Sequence, residues 1–362
     1  MPVTKDRCVL SDLGVCGVPM VKVAFRKRFN VSVLVVLMGL ALSGLRAQEK
    51  TGSAVLIFAG DIMLAETAGD AIKQGRDPFG PFATIFKAAD ASIGNLECVV
   101  STKGTPIEEK PFTFRADPLV LPTVARHFGV VGLANNHTGD FGHEAFVEQL
   151  DLLDRHRIAH FGGGRNSAAA RAPHLLEVKG LRIALLGYND FHPREFEAGP
   201  NWPGVAWSVD EQVLADITAA RALHKADLVI PFMHWGQEHE PEDARQRKLA
   251  RRMIDAGADV VVGGHPHVTQ GAEYYKGKLI MYSLGNFVFN GFNEGPARIG
   301  WVLRLRLDKQ GLINWDTVVA HIDEEGIPHP VKETPSPSGD ARKGSFEERR
   351  ALVDSPFMLG GK

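Results

Sequence analysis

Residues 259–268 read DVVVGGHPHV. Three valines in succession are too short a run for an ordinary helix and suit a strand buried on both faces. Two glycines and then two histidines, one residue apart, end the run. A pair of imidazoles thus stands at the carboxyl end of a buried strand. In open α/β sheets, ligands gather outside those carboxyl ends, so other strands of the same kind should end in polar groups too.

They do. From Ser53 to Asp323 short apolar runs alternate with segments of helical periodicity, the pattern of βαβ units in a single α/β domain. Strands are expected over 54–59, 91–95, 130–134, 182–187, 228–233, 259–263 and 279–283. Helices are expected over 118–127, 143–156, 210–224 and 242–256, the last followed by Gly257 as a natural C-terminal cap. Asp61 follows the first strand, and Asn95 and Glu97 the second. Asn135, Asn136, His137 and Asp140 follow the third, and Asn189 and Asp190 the fourth. The fifth ends in His234 and Glu238, the sixth in His265 and His267, the seventh in Asn286.

One such residue is ordinarily a cap or a turn former. Recurrence at every strand end asks for another explanation. Carboxylate, amide and imidazole groups gathered in one place form a ligand set for a divalent metal such as Zn, Mn or Fe. The imidazoles of His265-Pro266-His267 leave on divergent vectors, which suits two metals, or one metal and one substrate group. Two ions about 3.5–4 Å apart need a bridge, which Glu97 or Asp61 can supply. Gly263-Gly264 lets the backbone approach closely.

The flanks differ in character. Phe25 to Asn30 is a basic cluster, followed by fifteen apolar residues, Val31 to Leu45. That run is short for a membrane span, which needs about 20 residues, and suits the core of a signal peptide or an N-terminal anchor over 1–47. The protein is therefore expected to be exported, to the periplasm or the outer face of the cytoplasmic membrane. Cys8 and Cys16 fall in the leader, which leaves Cys98 alone in the mature chain, read as core packing. From Ile299 strict alternation predicts two antiparallel strands joined at Lys309-Gln310-Gly311, at the C-terminal edge of the fold. Residues 328–362 read as a polar, flexible tail. With 41 basic and 43 acidic residues and no long charge runs, the chain has no electrostatic footprint for nucleic acid.

Six ordered stretches carry a family resemblance: GDIML at 60–64, NLE at 95–97, ANNH at 134–137 with GDFG at 139–142, HWGQE at 234–238, GGHPHVTQG at 263–271 and YSLGNFVF at 282–289. Together they resemble bacterial capsule-synthesis proteins of the CapA type, which are associated with poly-γ-glutamate production and similar in fold to calcineurin-like metallophosphatases. The resemblance implies a layered, metallophosphatase-like α/β sandwich of largely buried sheets flanked by helices. It implies one or two divalent metal ions on Asp61, Glu97, Asn136, His234, His265 and His267. Glu97 stands where the superfamily has a bridging aspartate. His137 is implied as the group that protonates a leaving oxygen, with Asp140 beside it in the catalytic set. Two departures stand out: the superfamily's Asp-x-His is Asp61-Ile62-Met63 here, and Glu97 is longer than the usual aspartate.

The expected function is that of an exported metal-dependent hydrolase or transferase in capsule or poly-γ-glutamate biosynthesis, cleaving a phosphoester or a γ-glutamyl amide. Its partner would be an anionic polymer or precursor, met by Asn95, Asn135, Arg115, Glu238 and Asn286, with Arg298 as a further cation. The alternative is a non-catalytic polymer-binding or assembly component of a membrane capsule synthase.

Overall fold

A computed structural model of the chain describes residues 52–192, 194–292, 295–331 and 338–341. The expected leader lies outside the described residues, as does most of the expected tail. Among the described residues no helix is long and apolar enough to cross a membrane.

Two large sheets are packed through a shared apolar layer. In the first, Ala54–Ile62, Ala91–Leu96, Val130–Gly132 and Ala159–Phe161 run parallel in that order. Ile299–Asp308 pairs antiparallel with the other side of Ala54–Ile62, and Gly311–Ile322 pairs with it in turn. In the second sheet Leu181–Asn189, Leu228–His234, Val260–Gly264 and Lys278–Leu284 are parallel. Antiparallel strands His174–Val178 and Thr269–Tyr275 close its two edges.

The period-2 alternation of a strand builds the layers. Leu56 and Phe58 point into the space between the sheets, where they meet Ile183, Ile230, Phe232 and Val262 of the second sheet. Ile57 and Ala59, one residue on in each case, face a separate core with Phe86, Val124 and Leu153 of the covering helices. The far face of the second sheet packs Val229 and Val261 against Val213, Ile217, Leu249 and Met253 of its own helices. The α/β sandwich expected from the sequence is the observed architecture.

The four expected helices form as Leu121–His127, Gly142–Arg155, Asp210–Ala222 and Ala244–Asp255. Pro118–Val120 precedes the first as a 3₁₀ turn. The last starts with a reciprocal cap between Asp243 and Gln246, and Gly257 follows its end at φ 115°. Cys98 is fully buried in the helix-side core, in keeping with a packing role. The antiparallel pair Ile299–Asp308 and Gly311–Ile322 is present, but Ile299–Asp308 is more buried than its alternation implies. Leu303 and Leu305 enter the layer between the sheets, while Val302 enters the core on the opposite face. Beyond them Pro328–Pro330 and Ser338–Asp340 both pair with Gly311–Ile322, so parts of the expected tail extend the sheet.

Candidate metal centre

Six strand ends converge where the two sheets meet. Asp61 lies near the end of Ala54–Ile62, in register with Asn95 on one side and Asn286 on the other. Glu97 follows Ala91–Leu96, and its N–H donates to the carbonyl of Ile62 at 2.8 Å. From the second sheet come His234, the last residue of its strand, and His265 and His267 just past Val260–Gly264. Asp61, Glu97, His234, His265 and His267 are all buried.

Close backbone approach makes this possible. The His265 N–H donates to Asp61 Oδ2 at 3.2 Å. A Cβ on Gly264 would sit 2.8 Å from Asp61 Oδ1, so only glycine admits the carboxylate there. On the other flank a Cβ on Gly60 would fall 1.9 Å from the Gly285 carbonyl, which accepts the Asp61 N–H at 3.1 Å. His265 and His267 both adopt positive φ, 97° and 58°. Non-glycine residues in that region are strained, and such strain concentrates at functional sites.

The side chains form one continuous set. His234 Nε2 lies 2.7 Å from Asn136 Oδ1, 3.1 Å from His265 Nδ1 and 3.4 Å from Glu97 Oε1. His267 Nδ1 meets Asn286 Oδ1 at 2.9 Å and stands 3.6 Å from Asp61 Oδ2. Two triads have mutually adjacent ligand atoms, all within 4.8 Å: Asp61, Glu97 and His234, and Glu97, His265 and His267. Glu97 belongs to both, the place of a bridging carboxylate. The second triad also brings His265 and His267 to one centre, closer than divergent vectors alone would imply.

These residues fit a divalent cation. Neither oxygen of Glu97 has a well-formed hydrogen-bond donor, its polar neighbours being the Asp61 carboxyl and His234 Nε2 at 3.4 Å, and His265 Nε2 has no partner, although all three atoms are buried. Buried polar atoms are nearly always satisfied, so such orphans call for a ligand. Electrostatics agrees. Burial, with the Glu97 charge adding to it, pushes the Asp61 carboxyl up to about 8, and burial drives Glu97 well above the usual carboxylate range. Burial holds His234 down to about 4 and His267 down to about 3, and lowers His265 strongly. Neutral imidazoles are what a metal requires, and a cation would return the carboxylates to their charged form.

Around this set lies a layer of orienting groups. Asn95 Nδ2 donates to Asp61 Oδ1 at 2.8 Å and lies 3.2 Å from His234 Nδ1. Asn135 donates to Asn95 Oδ1 at 3.0 Å and accepts the His137 N–H at 3.1 Å. Asn286 donates to the carbonyls of His267 and Ala297. These three amides, expected to meet substrate, are buried behind the ligand candidates. His137 Nδ1 pairs with Asp140 Oδ2 at 2.7 Å, leaving Nε2 as the nitrogen free to exchange a proton. Burial lowers the His137 pKa, against the raising effect of Asp140.

Arg115 is engaged elsewhere: it donates to the carbonyls of Lys103 and Gly104 at 3.0 Å, and its guanidinium lies 4.4 Å from the Phe141 ring centre. Glu238 is exposed at the rim. Asp190 is held by Arg245 at 3.0 Å, which anchors the loop that lays Phe191 on His265, ring centres 3.9 Å apart. The sequence reading missed Phe191, Phe114, whose ring packs tilted against His137 with centres 4.4 Å apart, and Lys110, which pairs with Asp140. None carries a sequence signal, because each reaches the site from a loop.

Comparison with known proteins gives a consistent picture. The family profile of the bacterial capsule synthesis protein PGA_cap matches residues 55–291. The PGA biosynthesis protein CapA of Bacillus subtilis (strain 168) is 34% identical over 308 residues, 83% of this chain and 78% of that protein. The capsule biosynthesis protein CapA of Bacillus anthracis is 32% identical over 287 residues, 76% of this chain and 69% of that protein. A probable polyglutamine synthesis accessory protein of Mycobacterium tuberculosis (strain ATCC 25618 / H37Rv) is 31% identical over 249 residues, 63% of this chain and 64% of that protein.

Proposed function

This chain belongs to the bacterial capsule synthesis protein family PGA_cap, and from that premise we propose that it is an exported metal-dependent hydrolase or transferase acting on an anionic polymer or its precursor. The observation that carries the reading is Glu97: a buried carboxylate with no well-formed donor to either oxygen, shared by two triads of possible ligands. The names of the Bacillus relatives support poly-γ-glutamate or capsule polymer as the substrate class. The apolar run Val31 to Leu45 behind a basic cluster supports action outside the cytoplasm.

Asp61, Glu97, His234, His265 and His267, with Asn136 beside them, would hold the cation. When bound, it supplies Lewis acidity and lowers the pKa of a water at the site. The remaining residues act through their own chemistry. Asp140 fixes the His137 ring through Nδ1, so that Nε2 can deliver a proton to a leaving oxygen. Asn95 and Asn286 hold His234 and His267 in place, the role outer partners have at metal sites. Phe114, Phe191, Phe289 and Phe292 pack against the histidines and keep bulk water from their faces.

A second reading, a polymer-binding component of a capsule synthase, is favoured by one observation. Met63, fully buried, stands where the metallophosphatase pattern has an imidazole, which leaves the ligand set one short. The experiment that tests the primary reading is elemental analysis of the chain from Gln48, purified without chelator, beside a His265→Ala/His267→Ala variant. About one or two ions per chain, lost in the variant, are expected, followed by turnover of a phosphodiester or a γ-glutamyl polymer. A wild-type chain that stays metal-free after dialysis against Zn, Mn and Fe rules the proposal out.

A further inference from the structure

We infer that Lys110 is an anion-binding residue of this site: its ammonium takes a carboxylate or phosphoryl oxygen of the substrate beside the candidate metal ligands. The inference deepens the proposed function and rests on it for the location of the site.

Lys110 sits in the polar loop between Val99–Val100 and Arg115–Ala116, far from the strand ends in sequence. Its Nζ nonetheless donates to the Asn136 carbonyl at 2.6 Å and to Asp140 Oδ1. An ammonium has three N–H donors, and the third has no partner among the described residues. The side chain keeps 22% of its exposure, whereas Asp140 is wholly buried. Lys110 therefore presents an open donor at the site's edge.

Asp140 does not consume that charge alone. Its Oδ2 accepts from His137 and from the Phe114 N–H at 2.7 Å, so the carboxylate is shared among three donors. The charge of Lys110 also reaches Glu97, His137 and His234. The arginines that the sequence offers for anion binding are directed elsewhere, Arg115 to two loop carbonyls and Arg298 to the carbonyl of Ile322 at 2.7 Å. A substrate oxyanion bound beside Asn136 would lie within reach of Lys110. A lysine acts there as a compact point charge for carboxylate or phosphate alike.

The test is calorimetric titration of γ-linked triglutamate, and in a parallel arm inorganic phosphate, into the chain from Gln48. Lys110→Met, Lys110→Gln and Lys110→Arg are titrated alongside, with metal content and Tm measured for each. Loss of one charge-assisted bond should weaken binding about tenfold or more in Lys110→Met and Lys110→Gln. Metal content should not change, and Lys110→Arg should recover most of the affinity. Whichever probe shows the loss identifies the anion as carboxylate or phosphate. Binding to Lys110→Met within about twofold of wild type overturns the inference, as does a wild-type chain that binds neither probe. Parallel loss of metal and Tm overturns it too, since Lys110 then serves only to hold Asp140 and Asn136. The readout needs no turnover, so failure of the hydrolase reading would show separately, in the metal content of the wild type.

Discussion

The backbone N–H of His265 donates to Asp61 Oδ2 at 3.2 Å, joining residues 204 positions apart in sequence and in different sheets. That bond fixes where the two halves of the candidate site meet, and Gly264 leaves room for it. Adding one methyl at Gly264 forces a contact of 2.8 Å on Asp61 Oδ1. Gly264→Ala should cost about 1–3 kcal/mol of stability and lower metal content more than a fold-wide loss explains. Paired thermal melts and elemental analysis check this; an alanine variant with full metal content would refute it.

Glu97 makes a second test. Glu97→Gln replaces a buried carboxyl by a neutral group of the same shape. Metal affinity should fall by ~10²-fold or more, beyond what loss of an outer partner costs. In chelator at neutral pH, however, the variant should melt no lower than wild type, because burial pushes the Glu97 carboxyl well above its ordinary range and obliges it to take up a proton on folding, which the amide does not need. A lower Tm in chelator would mean that the contacts of Glu97 with Asp61 and His234 hold the fold in a way an amide cannot replace.

The pH dependence has a definite sign. With no cation bound, Asp61 titrates near 8 when folded, far above the ordinary carboxyl value of 3.8. Between those values the folded chain holds a proton that the unfolded chain has released, so stability falls as pH rises. The buried histidines work the other way, but only up to their unfolded value of 6.5. From pH 6.5 to 8 the carboxylates act alone, and the chelated protein should lose stability by at most about 1.4 kcal/mol per pH unit per group. Added divalent metal should reverse the trend, since binding displaces the same protons. A chelated chain whose Tm stays flat or rises across that window would contradict the burial of these acids.

His137 separates the two functional readings. It belongs to neither triad of possible ligands, so His137→Ala should keep its metal. If the protein is a hydrolase, turnover should drop by ~10²–10⁴, the usual contribution of a positioned acid. Polymer binding retained with no turnover to lose in the wild type would instead support the assembly component.

Much of this was legible in the sequence for a physical reason. Buried parallel strands read as apolar runs, and their carboxyl ends are where polar residues have no structural excuse to recur. Asp61, Glu97, His234, His265 and His267 stood out on that ground, and they converge. Lys110 did not, because a lysine in a loop containing TPIEEKP looks like any solvated cation until the fold carries it to Asp140. Arg115 looked like an anion ligand and proved to be a loop anchor lying over Phe141. Short elements escaped for a related reason. Asn286–Val288 is held by its partner Ala54–Ile62, and Ser338–Asp340 by Gly311–Ile322, pairings set by distant chain and not by local propensity.

The ligand candidates are drawn from both sheets: Asp61, Glu97 and Asn136 from one, His234, His265 and His267 from the other. A cation bound among them would act as a rivet through the seam of the sandwich. Damage to any ligand would then loosen both sides of that seam as well as any chemistry the cation supports. Poor yield or protease sensitivity in such a variant would accordingly be a signature of a bound cation, and dead variants should be compared only after each has been shown to keep its two halves fastened.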